Sequence, residues 1–394
     1  SLERGQTAIC IRLDRAAMLG RDRVVEDSQS AIGVDGCAID SVDDLAAALD
    51  RINLVKYPLT LKAGRSSLPV FAGLIEYLEH QNIDSKMLSG GLGFDLIGAL
   101  VREGHAKIDR NMHELSDMIR CCQKSCPGIC AITVHASPYS NAGASIITEL
   151  AASIATGVEY IRGLQKSGLN TSVIFQSLLF EYSVSTNMFL EIGKLRAARQ
   201  LWARIAKAFK VRDDVSDRMM IHAQTSKYTK TKNDIYNNLI RNSIESFAGA
   251  VGGCDSMNAE PFDALNGLPD QFSSHIARNQ QVILQEETHL NRVVDPAGGS
   301  YYVESITDSI AREAWKRFQE IEAEGGMLEC IKSGWIQEKV AEESKQKQKL
   351  VTQRRTPIVG VSQYVAEFEV SKTPVPFDQK SFAEAELTKR TKEK

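Results

Sequence analysis

The sequence of 394 residues has no excess of basic residues and no long apolar run. Lys and Arg number 47 against 50 Asp and Glu, which gives a net charge of -3. This balance argues against binding to the phosphate backbone of nucleic acid. No apolar run approaches the roughly 20 residues of a membrane span, and no charged-then-apolar leader opens the chain. We therefore predict a cytoplasmic protein, with neither nucleic acid nor membrane as partner.

Cysteine is also scarce. Eight cysteines in a chain of this length are too few for a disulfide scaffold. Cys121, Cys122, Cys126 and Cys130 lie close together in CCQKSCPGIC, a density that invites a metal. The spacing is not that of paired CxxC ligands, however, and His135 is the only imidazole just downstream. Because buried free thiols are common in protein cores, we predict no metal site.

Strand-like and helix-like segments alternate along the chain. Strand candidates lie near residues 8, 57, 86, 129, 174, 218, 254 and 291. The last candidate, Leu290–Val294, is the least apolar, because Asn291 and Arg292 interrupt it. Eight parallel strands, each followed by a helix, close a barrel in a chain of roughly 250 residues or more. The sequence therefore predicts an α/β fold, a (β/α)8 TIM-type barrel with a charged C-terminal extension.

The predicted barrel occupies residues 1–332. For residues 333–370 we predict a charged helix from about Ile336 and one apolar strand, Ile358–Val361, both flanking the barrel. Residues 371–394 are rich in Lys, Glu and Pro, a composition typical of a polar, mobile linker that leaves the core.

The stretch from residue 195 to residue 257 has the clearest pattern. Apolar residues recur at three- and four-residue steps from residue 195 to residue 209, which predicts an amphipathic helix. Arg218–Gln224 reads as a strand, and Asp234 is placed to cap a second helix that ends at Gly252-Gly253. Helix, strand, helix and strand in this order are typical of parallel strands joined by crossover helices.

Polar residues close the predicted strand Arg218–Gln224. They are His222, Gln224, Thr225 and Ser226. In barrel enzymes, ligands bind at such strand ends. A hydrogen-bonded polar layer inside the barrel would use the same residue types, because buried polar groups need partners. The sequence leaves both interpretations open.

Two glycine-containing runs could be either structural turns or anion-binding sites. Gly90–Gly93 follows a predicted strand at Lys86–Gly93, but it lacks both GxGxxG spacing and the Lys-Ser/Thr of a P-loop, which favours a tight turn. Asp295–Tyr302 could bind an anion through backbone amides, although a structural turn is the preferred interpretation.

Four longer segments together resemble the barrel domain of methylmalonyl-CoA mutases. They read FLEIGKLRAARQLWARI, HAQTSKYTKTKNDIYNNLIRNSIESF, FDALNGLPDQFSSHIARNQQVILQEE and DPAGGSYYVESIT, and the resemblance runs from Leu2 to about Tyr364. It implies a (β/α)8 barrel with coenzyme A along the axis and adenosylcobalamin over the mouth. It also implies a radical rearrangement that interconverts succinyl-CoA and methylmalonyl-CoA.

The polar residues of the family's catalytic chains are altered at three places. Before Ala-Gly-Ala, catalytic chains carry Tyr-His-x-Gln-Glu, but this chain has Ser-Pro-Tyr-Ser-Asn at residues 137–141. Proline has no side-chain donor for a thioester carbonyl. Gly93 replaces a substrate-facing Gln, and Asn258 lies where catalytic chains read Ser-Leu-His-Thr-Asn. Gln224 and Gln281 do match the family pattern.

These departures resemble the small, beta subunit of two-subunit mutases. The resemblance implies a non-catalytic barrel that stabilises a large catalytic subunit in a heterodimer of propionate metabolism. The isomerase activity and the acyl-CoA substrate would then belong to the complex, and this chain alone would be inactive. None of the seven histidines lies in the family's cobalt-ligating pattern Asp-x-His-x-x-Gly, so we expect this chain alone to bind no adenosylcobalamin. The family's N-terminal arm, which wraps the partner, is also expected to be absent before Ser1.

Two other interpretations remain. An active acyl-CoA mutase would use cobalamin from another domain or chain, with Tyr139, His135 and Gln224 as catalytic candidates. Its candidate cofactor contacts are Gln281, Asn258 and Gly93. A binding module that keeps coenzyme A without catalysis is the third interpretation.

Overall fold

A computed structural model describes residues 2–21, 26–104, 108–211, 218–365 and 377–393. Seven strands lie in these ranges: β1 (Ile9–Arg12), β2 (Leu59–Lys62), β3 (Ser89–Phe94), β4 (Gly128–His135), β5 (Leu178–Val184), β6 (Met220–Thr225) and β7 (Ser256–Asn258). They form one sheet in sequence order. The pairs β1–β2, β2–β3, β3–β4 and β6–β7 are parallel. The predicted α/β class is confirmed, whereas closure by eight strands stays a prediction.

Helices connect the strands and continue after them. They are α1 (Arg15–Met18), α2 (Val42–Leu49), α3 (Ser67–His80), α4 (Leu96–Glu103), α5 (Ile108–Ser125), α6 (Ser137–Asn141), α7 (Ile146–Lys166), α8 (Thr171–Gln176), α9 (Met188–Ala208), α10 (Asn237–Val251), α11 (Gln271–Glu286), α12 (Tyr301–Ala323), α13 (Met327–Ser333), α14 (Trp335–Thr352) and α15 (Gln379–Glu393). Across the described ranges, no helix is both long and apolar enough to span a membrane.

Backbone packing separates two compact units. The first comprises Ser1–Thr133, Gly163–Leu179 and Phe377–Lys394, and the second comprises Val134–Arg162 and Phe180–Pro376. Among the residues singled out in the sequence, Gly93 belongs to the first unit, whereas His135, Tyr139, Gln224, Asn258 and Gln281 belong to the second. The barrel, flank and linker boundaries predicted at residues 332 and 370 stay a prediction.

In the first unit, Gly90–Gly93 lies inside strand β3 and forms neither a tight turn nor a phosphate loop. Gly90 has φ 137°, and a Cβ there would lie 1.9 Å from the Leu59 carbonyl oxygen of β2. Only glycine lets the two strands approach so closely. The register against β4 shifts between Gly91 and Phe94, as in a β-bulge. The glycines therefore have a structural reason, and the proposed ligand role of Gly93 stays a prediction.

The fifth strand begins later than predicted. Residues Thr171–Gln176 form helix α8, and β5 starts only at Leu178. The reason is local: the side chain of Asn170 accepts a hydrogen bond from the Ser172 backbone N–H and caps the helix. A short apolar run of this kind fits a strand or a helix equally well, and the cap decides between them.

The C-terminal part also differs from the prediction. Residues 366–376 lie outside the described ranges, but Gln379–Glu393 forms helix α15, not a linker that leaves the core. Ala383 is 5% exposed and packs with Ala31 and Ile32. Gln379 Nε2 donates hydrogen bonds to the carbonyls of Gln29 and Ile32 at 2.7 and 3.1 Å. An apolar patch on an otherwise polar helix is enough to dock it.

Helix α9, strand β6, helix α10 and strand β7 follow one another in the second unit and confirm the predicted order of helix, strand, helix and strand. Trp202 of α9 is 1% exposed, and its ring lies 4.7 Å from that of Phe180 on β5. Helix α12 crosses α9 at Gly193, where a Cβ would lie 3.0 Å from Ile310 Cδ1. Helix α10 begins at Asn237, three residues after the predicted cap, and Asp234 instead accepts a hydrogen bond from Asn237 Nδ2 at 2.5 Å.

Two of the strand predictions in this unit are wrong. Leu290–Arg292 is a turn of 3-10 helix, preceded by His289 at φ 55°, and Val294 is 95% exposed. Asn291 and Arg292 leave this segment too polar to be buried in a sheet. Ile358–Val361 forms only an isolated bridge between Val359 and Gln363. The charged helix predicted for this region is α14.

Candidate functional site

Side-chain alternation gives strand β5 two chemically different faces. Phe180 packs on Trp202, and Tyr182 Oη lies 2.7 Å from Ser153 Oγ of α7, so both side chains face the helices. Because successive side chains of a strand point to opposite sides, Glu181 and Ser183 face away from α7 and α9. We call the side of the sheet opposite the helices in this unit the polar face.

Strands β6 and β7 continue the polar face. Ala223 and Met257 point at Gly249 of α10, since a Cβ on Gly249 would lie 3.6 Å from Ala223 Cβ and 2.8 Å from Met257 Sδ. The residues on either side of Ala223 and Met257 therefore face away from α10, on the polar face. Register pairs His222 with Ser256 and Gln224 with Asn258. Two predicted site residues, Gln224 and Asn258, thus become direct neighbours at the carboxyl ends of adjacent strands.

His222 and its neighbour share a hydrogen bond, since His222 Nδ1 lies 2.8 Å from Ser256 Oγ. Gln224 is 8% exposed. Thr225 Oγ1 accepts a hydrogen bond from the Glu260 N–H at 2.9 Å. The Ser226 N–H donates to Glu245 at 3.2 Å. Thr225 lies on the same side of β6 as Ala223, and Ser226 uses its backbone N–H, so neither residue offers a side chain on the polar face. His222 and Gln224 remain as candidate ligand groups.

A second group of polar side chains, the Glu181 cluster, comprises Glu181, His135 and Ser137. Ser137 Oγ donates to Glu181 Oε1 at 3.2 Å, and His135 Nε2 lies 3.7 Å from Glu181 Oε2. The Glu181 side chain is 3% exposed. Sequence reasoning missed Glu181, although an acid inside the apolar run LLFEYSV was a usable signal. Tyr139 follows Ser137 by two residues in helix α6 and is 6% exposed.

Gln281 of α11 binds the backbone at the end of β7. In the amide orientation that satisfies both of its atoms, the side chain donates to the Met257 carbonyl at 3.2 Å and accepts from the Ala259 N–H at 3.1 Å. These bonds hold helix α11 to the strand that carries Asn258. Their geometry gives Gln281 a structural task, and a cofactor contact from Gln281 stays a prediction.

On the helix side of β5, a buried ionic triad supports the strand. Lys194 is 0% exposed, and its Nζ lies 2.8 Å from Glu149 Oε2, 2.6 Å from Glu191 Oε2 and 2.5 Å from the Ser183 carbonyl oxygen. Burial raises the pKa of Glu149 to about 6, against the opposing effect of Lys194. Burial alone would lower the pKa of Lys194, but the two carboxylates together raise it. The triad fixes α7 and α9 to the carboxyl end of β5.

The loop after β6 contains a second buried pair. Lys230 Nζ lies 2.5 Å from Glu245 Oε2 of α10, and Glu245 also accepts a hydrogen bond from Thr229 Oγ1 at 2.6 Å. Burial raises the pKa of Glu245 to about 7 and lowers that of Lys230. Because both charged forms are desolvated, this pair stabilises the loop less than its short distance suggests.

Helix α14 covers the turn between α6 and α7. Glu343 accepts hydrogen bonds from the Ser145 N–H and from Thr148 Oγ1, both at 2.7 Å, and thereby caps α7. Lys347 Nζ donates to the Ala144 carbonyl at 2.6 Å. A Cβ on Gly143 would lie 2.5 Å from Ser344 Oγ. The charged helix predicted from the sequence therefore packs on the turn that follows Tyr139.

The turn Asp295–Tyr302 is held by ion pairs. Arg196 of α9 pairs with Asp295 and, at 2.7 Å, with Glu304. The Gly299 N–H donates to Glu304 at 3.0 Å, so one backbone amide that an anion would need is already used. This arrangement supports the structural turn.

The cysteine-rich segment shows no metal-binding geometry. No group of three His, Cys, Asp or Glu residues that could hold a metal occurs in the part of the chain that the structure describes. Cys122, Cys126 and Cys130 are buried thiols outside any disulfide. Burial raises the pKa of Cys122 to about 12, which disfavours the thiolate that a metal requires.

Known proteins match this chain along its whole length. The family model described as methylmalonyl-CoA mutase matches residues 1–394. The chain belongs to the methylmalonyl-CoA mutase family. The methylmalonyl-CoA mutase small subunit of Streptomyces virginiae is 39% identical over 337 residues, which cover 85% of this chain and 54% of that protein.

Relatives that are not small subunits are similar at nearly the same level. The methylmalonyl-CoA mutase of Rhizobium meliloti is 35% identical over 371 residues, or 94% of this chain and 52% of that protein. The large subunit of Streptomyces virginiae is 33% identical over 366 residues, or 92% of this chain and 50% of that protein. The chain spans about half the length of the curated relatives that it matches. Family membership makes the chain part of an isomerase family, and the subunit type needs a separate argument.

Proposed function

We propose that this chain acts as the small, non-catalytic subunit of an adenosylcobalamin-dependent methylmalonyl-CoA mutase and stabilises a large catalytic subunit. The observation that carries the proposal is the Glu181 cluster, because a carboxylate lies on the polar face beside a segment that has Pro138 in place of a donor. In the interconversion of succinyl-CoA and methylmalonyl-CoA, a thioester carbonyl needs donors in its neighbourhood. Glu181 in its ionised form only accepts hydrogen bonds.

The family uses adenosylcobalamin, but the residues of this chain do not fit a cobalt ligand. On the polar face, His135 lies beside Glu181, and His222 is hydrogen-bonded to Ser256. Neither follows the pattern Asp-x-His-x-x-Gly. We therefore derive no reaction step through the cofactor for this chain and assign the acyl-CoA chemistry to the partner subunit. A cytoplasmic location and a role in propionate metabolism are part of the same proposal.

The experiment combines turnover with complex formation. The purified chain is titrated with adenosylcobalamin and succinyl-CoA, alone and then together with the large subunit of the same source. We expect no turnover and no cobalamin binding by the chain alone, and a stable one-to-one complex with the large subunit in sedimentation. The large subunit should also unfold at a higher temperature within the complex. Turnover by the chain alone, or failure to form the complex, would contradict the proposal.

One observation favours an active mutase as the second candidate. Gln224 and Asn258 are neighbours on the polar face. In that function, cobalamin would come from another domain or chain, and His135, Tyr139 and Gln224 would supply the polar contacts. Turnover of succinyl-CoA after addition of a separate cobalamin-binding domain, without the large subunit's barrel, would support this function. If Gln224→Ala then left the turnover unchanged, the assignment of this residue would be wrong.

A further inference from the structure

Glu181 is a carboxyl group held in a fixed position on the polar face. Its side chain is 3% exposed, and Ser137 Oγ donates to it at 3.2 Å. The strand cannot rotate to release it, because Phe180 and Tyr182 on either side are packed against α7 and α9. The carboxyl group therefore remains on the polar face, at the middle of strand β5.

In its ionised form, this carboxyl group discriminates between ligands by their own charge. Succinyl-CoA and methylmalonyl-CoA both carry a carboxylate on the acyl group, whereas butyryl-CoA ends in a methyl group. Two carboxylates a few ångströms apart repel each other strongly at a site from which water is largely excluded. Like charges placed together are an established way to reject a competing ligand.

We propose that Glu181 excludes carboxylated acyl thioesters from the polar face and is thus a specificity-determining residue of this chain. The proposal rests on the proposed function, because it explains how a mutase-type barrel leaves the substrate to its partner. It goes further by assigning the exclusion to one charge and not to the shape of the barrel alone.

Removing the charge while keeping the shape tests the proposal. Glu181→Gln is titrated calorimetrically with succinyl-CoA and with butyryl-CoA at about pH 8, where imidazoles are ordinarily neutral. We expect the affinity for succinyl-CoA, relative to butyryl-CoA, to rise at least about tenfold over the wild-type chain. If the wild-type chain binds succinyl-CoA too weakly to measure, measurable binding by Glu181→Gln would also support the proposal.

Glu181→Asp is the matched control, because it keeps the charge and shortens the side chain. Its relative affinity should stay within about twofold of the wild-type value. Ser137→Ala keeps the carboxylate and should also leave the ratio unchanged. Thermal unfolding of each variant, followed by circular dichroism, establishes that the compared chains are folded.

The proposal is overturned if Glu181→Gln leaves the ratio unchanged, if it binds neither thioester, or if Glu181→Asp raises the ratio as much as Glu181→Gln does. These outcomes are separate from a failure of the proposed function, which is measured by complex formation and turnover of the wild-type chain. We expect Glu181→Gln to bind the large subunit as the wild type does.

Discussion

The buried ionic triad around Lys194 allows the sharpest test of what holds the second unit together. Lys194→Met keeps an unbranched side chain of similar length and removes the charge. Glu149 and Glu191 then lie in a water-free site without the ammonium group 2.8 and 2.6 Å away. The Ser183 carbonyl, at 2.5 Å from Nζ in the wild type, also loses a donor.

Removing one partner of a buried ion pair destabilises a protein by roughly 3–5 kcal/mol, because the remaining charge stays buried without compensation. A domain has a total stability of about 5–15 kcal/mol, so the loss is a large fraction of it. The loss should depend on pH. Burial already raises the pKa of Glu149 to about 6, and removal of Lys194 raises it further. Protonation of Glu149 therefore relieves the variant, and the loss should be smaller near pH 5 than near pH 8.

The measurement is urea unfolding of both chains at these two pH values. Lys207→Met, which removes an exposed lysine from the same helix, is the control and should change the stability by less than about 0.5 kcal/mol. If Lys194→Met destabilises by no more than this control at high pH, the triad does not hold the strand. A loss that grows as the pH falls would refute the sign of the argument.

Three other predictions concern single contacts of the same unit. Burial raises the pKa of Glu245 to about 7 from 4.5, so its contribution to stability is full below about pH 4.5 and is lost as the pH rises through about 7. Glu245→Gln should remove about 3 kcal/mol of the wild-type fall in the free energy of unfolding, measured by urea unfolding across this pH range. An unchanged slope would contradict this. Gly143→Ala should destabilise the protein by about 1–3 kcal/mol, because the new Cβ would lie 2.5 Å from Ser344 Oγ and the backbone φ is 101°. Adding Ser344→Gly should recover part of this loss in thermal unfolding. If it recovers nothing, the strain lies elsewhere. Arg196→Ala should lower the thermal midpoint far less than Lys194→Met does. The difference from wild type should vanish at high salt, because the carboxylates with which Arg196 pairs are solvent-exposed. A loss that does not depend on salt would show that packing of the arginine matters more than its charge.

The fold could be predicted where the sequence pattern is long. Helix α9 is confirmed because apolar residues recur over about four turns, and no other structure buries them on one side. The strands that were misplaced are short or depend on one residue. Asn170 caps a helix where Val173 and Ile174 suggested a strand, and Asn291 and Arg292 prevent the eighth predicted strand. In each case, a local hydrogen bond or a polar residue overrides a short apolar run.

The candidate site could be predicted only in part, for a different reason. Gln224 and Asn258 were found because they lie in family motifs, and the register of β6 and β7 makes them neighbours. Glu181 lies in no such motif. Its importance depends on the side of the strand it faces and on His135 and Ser137, which are more than forty residues away in the sequence. Contacts of this range do not follow from spacing or composition.

Two of the buried acids near β5, Glu149 and Glu181, lie on opposite sides of the sheet. Glu149 reaches the strand from the helix side, where Lys194 and the Ser183 backbone satisfy it. Glu181 lies on the opposite side, where a mutase barrel would need donors for a thioester. A strand changes face at every residue, so one substitution can alter the polar face without disturbing the ion pairs behind it. We infer that the proposed subunit lost its chemistry by such substitutions on the polar face. A barrel that still stabilises a partner must keep the charges on the helix side. It need not keep a polar face that accepts a substrate.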